Sequence, residues 1–312
     1  MNPIIYEKGP IDLAIGSTPW VKLALPAFAA PNLAPSKQRR VHAEVGRYRL
    51  RLAESAEDRE AACRLRFRVF NIEMGEGLVA SYQTGLDTDH FDPFCEHLLV
   101  EDKQEDNPAH SIVGTYRMQS GTTAAANLGY YSEQEFNFAP YEPLRPGILE
   151  LGRASIDREH RTPEVLTLLW RGIAQYANDM GLRYLVGCSS LTSKDPAEGW
   201  QMYRQLHNYR VSPEFETVPT AAYACPTEQQ VATTQPLPCA MESNAVATDR
   251  VEQVTAPVKV PKLLRTYLAI GARIAAPPAW DREFGTIDFL TLLDLKLLSS
   301  SARNRFLAPL TQ

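Results

Sequence analysis

The 312-residue chain is 44% hydrophobic and 22% charged, enough apolar material to bury a substantial core in one large domain or two small ones. Its net charge of -5 supplies no overall basic field for nucleic acid. No run approaches the roughly 18 apolar residues that span a bilayer, and five cysteines without a CxxC pair indicate neither a disulfide framework nor a thiolate zinc site.

The N-terminus lacks the charge placement and apolar core of a secretory signal, so the expected location is the cytoplasm, with peripheral membrane attachment as the alternative. Residues 1–45 read as an irregular arm in which Pro26, Pro31 and Pro35 interrupt short apolar segments. A core over 46–225 opens at Arg47, where RYRLRLAE alternates as a half-buried strand does. Ser55 then caps a helix with Asp58 at its third position, and Ala62, Leu65, Val69 and Ile72 recur on one side. Arg59, Arg64, Arg66 and Arg68 fall on the other side, as a solvated face or a phosphate-binding one.

A polar loop over 74–92 leads to strands at 97–102 and 111–119, a short helix around Ser132–Phe138 and a strand at 148–156. The next helix has Thr162 as cap, Pro163 at its first position, an apolar stripe through Leu166, Leu169, Ile173, Tyr176 and Met180, and Gly181 as terminator. A strand at 183–190 follows, then a helix opened by Asp195-Pro-Ala-Glu198 and running to Leu206. Residues 226–257 are rich in Thr, Gln, Pro, Ala and Ser and read as a flexible linker or insert. The remainder, 258–312, carries eight Lys/Arg against four acids and resumes order with a helix near Lys262–Ile274 and an apolar strand at 287–295, completing the same domain. This succession predicts α/β architecture, a mixed central sheet flanked by helices.

Four groupings carry potential chemistry. Asp87, Asp89 and Asp92, with Glu96 and His97 beyond, form a solvated acidic loop or an acidic pocket for a cationic amine; the histidine spacing does not favour a metal. Glu150 and Arg153 lie in an otherwise apolar strand, where unpaired charge is costly, and read either as a structural salt bridge or as a catalytic base with its orienting partner. Strict alternation puts them on opposite faces unless Gly152 hosts a bulge. Arg158, Arg161 and Thr162 stand where that strand runs into a helix N-terminus, which suits a phosphate. Finally, 258–276 is amphipathic and basic, as a core-packed or membrane-surface helix would be.

The run ELGRASIDREHRTPEVLTLLWRGIAQYANDMGLRYLVGCSSL resembles the central block of the lyso-ornithine-lipid synthases, ornithine N-acyltransferases of the Gcn5-related N-acyltransferase superfamily. LRFRVFNIEMG, DTDHFDPFCEHLLVED and the closing PKLLRTYLAIGARI with DREFGTIDFLTLLDL are similar to it too, so the resemblance covers about 47–210 and 259–295. More distantly, acyl-homoserine-lactone synthases share the D-x-D-x-x-D run and the E-x-x-R strand. The resemblance implies transfer of a 3-hydroxyacyl chain from acyl carrier protein to the α-amino group of ornithine, in ornithine-lipid biosynthesis.

On that basis the pantetheine arm would enter where the strands at 148–156 and 184–189 splay. Glu150 would act as base with Arg153 as orienting or substrate-binding partner, and Tyr203 would stand where relatives place the acid for the leaving thiolate. Asp87, Asp89 and Asp92 would hold the amine substrate, and Arg158, Arg161 and Thr162 the pantetheine phosphate. The turn R-E-H-R-T-P is not Gly-rich, which favours a carrier-protein phosphopantetheine over coenzyme A; no other cofactor and no metal is implied. Arg64, Arg66, Arg68, Arg158 and Arg161 would form the basic surface for the acidic carrier protein. A synthase acting on glycine or another amino acid, a signal synthase, and a non-catalytic acyl-binding protein at the membrane's inner face are the alternatives.

Overall fold

The computed structural model describes residues 41–227, 257–298 and 300–306. Most of the N-terminal arm and of the 226–257 segment lies outside these residues. Two strands, β1 (His42–Val45) and β2 (Tyr48–Leu52), form a hairpin about Gly46. Helix α1 (Ala56–Phe67) follows, with Ser55 and Asp58 forming the reciprocal cap that the sequence announces. One wider turn of π-helix, Arg68–Glu73, continues it. That extra residue per turn rotates the apolar stripe, so Ile72 is exposed rather than inward-facing.

The short α2 (Ser81–Thr84) precedes β3 (Glu96–Asp102) and β4 (Ile112–Ser120). Where a helix is expected over 132–138 there is α3 (Gly121–Ala126) and then a single 3-10 turn, Tyr131–Glu133. Strand β5 (Ile148–Ile156), helix α4 (Pro163–Asp179) and β6 (Tyr184–Leu191) make a parallel crossover. Thr162 caps α4, and Gly181 turns the chain out of it at φ +67°. After α5 (Pro196–Gln205) the described chain resumes with α6 (Lys262–Ile270), β7 (Arg273–Ile274), β8 (Ala279–Asp281), β9 (Thr286–Asp294) and α7 (Ser300–Phe306).

The strands form one mixed sheet in the order β1-β2-β3-β4-β5-β6-β9-β7, with β8 also on β9. Strand β9 pairs with β6 from Tyr184↔Asp294 to Leu191↔Ile287, so the segment beyond 257 supplies a central strand. Helix α4 packs on one face through Val165, Leu169 and Ile173 against Leu50, Leu98 and Val100. The other face is covered by α1, through Ala62 and Leu65 against Leu99 and Ile112, and by an aromatic cluster of Tyr130, Phe136 and Tyr141. Helix α6 turns Leu264, Leu268 and Ile270 into the core, and Tyr267 meets the Tyr116 hydroxyl, so the apolar stripe that suggested a membrane-surface helix is spent on packing. No helix among the described residues is long and apolar enough to cross a membrane.

Candidate active site

Strands β5 and β6 are hydrogen-bonded only from Ile148↔Tyr184 to Glu150↔Val186. Beyond that point the ladder between them stops. The parting begins at a crowded point: a Cβ on Gly187 would stand 2.2 Å from the Leu151 carbonyl oxygen, so only glycine lets the strands diverge from so close an approach.

Glu150 is the last paired residue before the strands part, and it is buried. Its carboxylate accepts hydrogen bonds from the Tyr131 N–H (3.0 Å), the Ser132 N–H (2.7 Å) and the Ser132 hydroxyl (2.6 Å). Burial pushes its pKa up, against the pull of these donors towards the ionised form. The result is a carboxylate held in one orientation yet more basic than an exposed one. Gln119, opposite it on β4, is buried with neither polar atom of its amide partnered.

Arg153 has φ +52°, the left-handed region, alone among the described non-glycine residues. The β4–β5 register shifts here: Arg117 faces Gly152 and Thr115 faces Ser155, so two residues of β5 oppose one of β4. The extra residue is a bulge that cancels the alternation and sends the Arg153 side chain to the face of Glu150 and Arg117.

On that face Arg66, Arg117 and Arg153 meet Asp87, Asp89 and Asp92. Arg66, wholly buried, forks onto Asp92 at 2.7 and 3.0 Å and reaches Asp87 at 3.1 Å. Arg117 bonds both oxygens of Asp89 at 2.6 Å and Asp92 at 3.2 Å, and Arg153 bonds Asp89 at 3.0 Å. Burial alone would raise Asp89, but Arg117 and Arg153 outweigh it and hold the carboxyl down to about 2. Arg66 and Arg117 likewise hold Asp92 well below the usual range against its burial.

Each of the three aspartates expected to hold the acceptor amine is thus paired with arginine. They are the anions of a closed, formally neutral ion network that pins the Asp87–Asp92 loop to the sheet. Arg66 is corrected in the same way. Neither it nor Arg59 lies on a solvated face, and Arg66 cannot meet a carrier protein, because every donor side of its guanidinium is taken by carboxylates inside the fold. Sequence periodicity hides this, since a buried arginine on a helix looks like any other polar position.

His97 completes the network, with Nε2 3.3 Å from the Asp92 carbonyl oxygen and Nδ1 without a partner. Burial lowers its pKa to about 4, although Asp92 pulls the other way. A histidine that titrates near 6.5 unfolded therefore resists protonation when folded. Its contribution to stability is full above pH 6.5 and is lost as pH falls towards 4, by on the order of 3 kcal/mol. In urea unfolding at pH 7 and pH 4.5, His97→Gln is expected to remove that part of the acid destabilisation; an unchanged slope would show that another group carries it.

The remaining expected residues are scattered. Thr162 spends its hydroxyl capping α4 (3.4 Å to the Val165 N–H), and Arg161 is engaged by Glu73 and by the Ile156 carbonyl at 3.1 Å. Arg158 is exposed beside them. Arg64 pairs with Glu60, and Arg68 lies 3.6 Å from Asp157. Tyr203 sits on α5 under the Arg210 guanidinium, 3.9 Å from its ring centre, and packs with Leu191, Ile287 and Phe289. Those residues alternate with Ser190 and Asp288, which puts Tyr203 on the opposite face of the sheet from Glu150.

A second carboxyl cluster was not legible as a site. Glu135, Asp281 and Asp288 are all buried, with oxygens within 4.8 Å of one another. Cys188 links them to the first site, its Sγ 3.6 Å from Glu135 and 3.5 Å from the Ser132 hydroxyl that bonds Glu150. Asp288 did carry a signal, an acid inside the apolar strand IDFLTLLDL.

Comparison with known proteins fits this geometry. The family model described as acetyltransferase (GNAT) domain matches residues 65–171. An L-ornithine N(alpha)-acyltransferase of Brucella abortus is 33% identical over 82% of this chain and 87% of its own length. One of Agrobacterium fabrum is 32% identical over 82% and 83%. The chain belongs to the L-ornithine N(alpha)-acyltransferase family. A solved N-acyl amino acid synthase from uncultured soil microbes aligns with 84% of this chain and 97% of its own at 12% identity and a TM-score of 0.45. The GNAT match contains Arg66, the three aspartates, Arg117, Glu150 and Arg153, whereas this chain's strands beyond residue 171 bring Cys188, Asp281 and Asp288.

Proposed function

We propose that this chain transfers a 3-hydroxyacyl group from the phosphopantetheine thioester of acyl carrier protein to the α-amino group of L-ornithine, the first step in making ornithine lipids. The names of the relatives support the acceptor, and Glu150 supports the chemistry. A buried carboxylate oriented by three hydrogen bonds stands where β5 and β6 part, and there it can take a proton from the α-ammonium. The free amine then attacks the thioester carbonyl, the C–N bond forms, the C–S bond breaks, and a proton from the amine leaves with the pantetheine thiol.

The donor's pantetheine amides would find partners on β5 beyond Leu151, past the end of its ladder with β6, and backbone N–H groups there suit the oxygen that gains charge during attack. Arg153, whose Nε makes no hydrogen bond and lies 3.8 Å from Asp87, is the group best placed to receive the acceptor's carboxylate. Arg158, exposed at the N-terminal side of α4, is the candidate for the donor phosphate or for an acidic carrier protein. The test is mass spectrometry of reactions with 3-hydroxyacyl carrier protein as donor and ornithine plus the twenty amino acids as acceptors. N-acylornithine as the dominant product is the expected result. Product with glycine or another neutral amino acid alone would overturn the acceptor, and no product from folded protein would overturn the enzyme reading.

A further inference from the structure

Glu135 is wholly buried and Asp281 and Asp288 nearly so, on the face of the sheet that carries Glu150. Strand alternation fixes this: Glu150 neighbours Val186, Cys188 lies two residues on, Cys188 pairs with Leu290, and Asp288 is two residues from Leu290. Asp281 comes from β8, whose Ala279 pairs with Asp288. Three carboxyls within 4.8 Å, out of water, repel one another strongly unless something positive joins them.

Among the described residues no lysine or arginine forms an ion pair with any of the three. Two of their oxygens, Glu135 Oε1 and Asp288 Oδ1, are buried with no hydrogen-bond partner. The neighbouring aspartate network makes the contrast plain, since there each acid has its arginine. Burial, with the other carboxyls adding to it, pushes Glu135 well above the usual carboxyl range. Burial likewise pushes Asp288 up to about 6, where Asp281 adds to it and a bond to Ser190 pulls the other way. Burial and the neighbouring carboxyls thus favour the protonated form at Glu135, and a cation held among them would oppose that.

We infer that Glu135, Asp281 and Asp288 form the subsite for the side-chain ammonium of a diamino-acid acceptor, the amine that is not acylated. This rests on the proposed function and adds to it the residues that choose the acceptor. The chain Glu150–Ser132–Cys188–Glu135 joins the base to the acid cluster by contacts of 2.6, 3.5 and 3.6 Å, so a short aliphatic stem can set one amine at Glu150 and the other at the cluster. The turn between β8 and β9 flanks the subsite: Asp281 Oδ1 caps it through the N–H groups of Glu283 and Phe284, and the Phe284 ring lies 4.4 Å from the Arg153 guanidinium. Acceptor carboxylate at Arg153, α-amine at Glu150 and distal ammonium at the cluster give three points of recognition.

The experiment compares L-ornithine with L-norvaline, which has the same carbon chain without the distal amine. It uses the full chain and its Glu135→Gln, Asp288→Asn and doubly substituted forms. Wild type is expected to prefer ornithine. The double variant is expected to lose about 10²-fold or more in kcat/KM for ornithine while norvaline holds or improves, because a desolvated charge partner has been removed. The variants delete repulsion rather than packing, so their urea midpoints should equal or exceed wild type, and either single variant gives the same readout if the double one fails to fold. Wild-type activity on ornithine with an undiminished ornithine preference in the variants overturns the subsite and leaves the proposed function standing. Absence of wild-type activity on every amine overturns that function first. A thermal shift of wild type, but not of the double variant, by calcium or magnesium chloride, with none from ornithine, overturns the subsite in favour of a metal site.

Discussion

Glu150→Gln is expected to lower kcat by about 10²-fold or more with both substrates saturating. The substitution keeps the side chain's volume and leaves an oxygen to accept from Ser132, but it removes the group that takes the ammonium's proton. The pH profile separates this from a merely structural effect. Because burial sets the Glu150 pKa above 4.5, kcat/KM in wild type should climb with pH as that carboxyl ionises, and the climb should vanish in the variant. A glutamine form that turns over ornithine at the normal rate would remove Glu150 from the chemistry.

Arg66→Met should destabilise the chain by about 3–5 kcal/mol, the largest stability effect we expect of any single surface-distant change. Arg66 is wholly buried and makes three hydrogen bonds to Asp87 and Asp92. Methionine fills similar space, yet it leaves Asp92 with Arg117 as its one arginine and Asp87 with Arg153 at 3.8 Å. Arg66→Lys keeps the charge without the planar fork, so its loss should fall between wild type and methionine. Urea midpoints at pH 7 decide it; a loss below about 1 kcal/mol in the methionine form would mean that water enters and solvates the aspartates.

How far the chain could be read from its residues varied with how strongly each segment departs from an average pattern. Strands β3, β4, β5, β6 and β9 and helices α4 and α5 stand within a residue or two of their sequence bounds, because long apolar runs, cap residues and terminating glycines all agree there. Strand β1 was hidden in His42–Val45, and β7 and β8 are two and three residues long, too short for any alternation to show. Helix α6 stops at Ile270 rather than near Ile274 because Gly271 takes φ +115° and the chain turns into β7. Glu150 and Arg153 stood out as charges in an apolar strand, and the bulge that unites them was announced only by the neighbouring glycine.

The aspartates were legible as a group but their partners were not, since the arginines that hydrogen-bond them lie 21 to 64 residues away in sequence. Glu135 gave no signal at all: it sits in the polar stretch SEQEFN, where the helical pattern expected over 132–138 would have left it on a solvated side.

The position of β9 has a consequence for the order in which the molecule is made. Arg183 and Asp294, at one end of the β6–β9 ladder, pair across 111 residues of chain. Closing so long a loop is entropically slow, and the strands before it can pair locally first. During synthesis the thioester cleft and the Glu150 carboxylate can therefore exist while β6 still has a bare edge and Asp281 and Asp288 have not emerged. A chain interrupted before β8 would lack Asp281 and Asp288, and with them the proposed amine subsite. If these acids choose the acceptor as proposed, discrimination is the final property the nascent protein acquires.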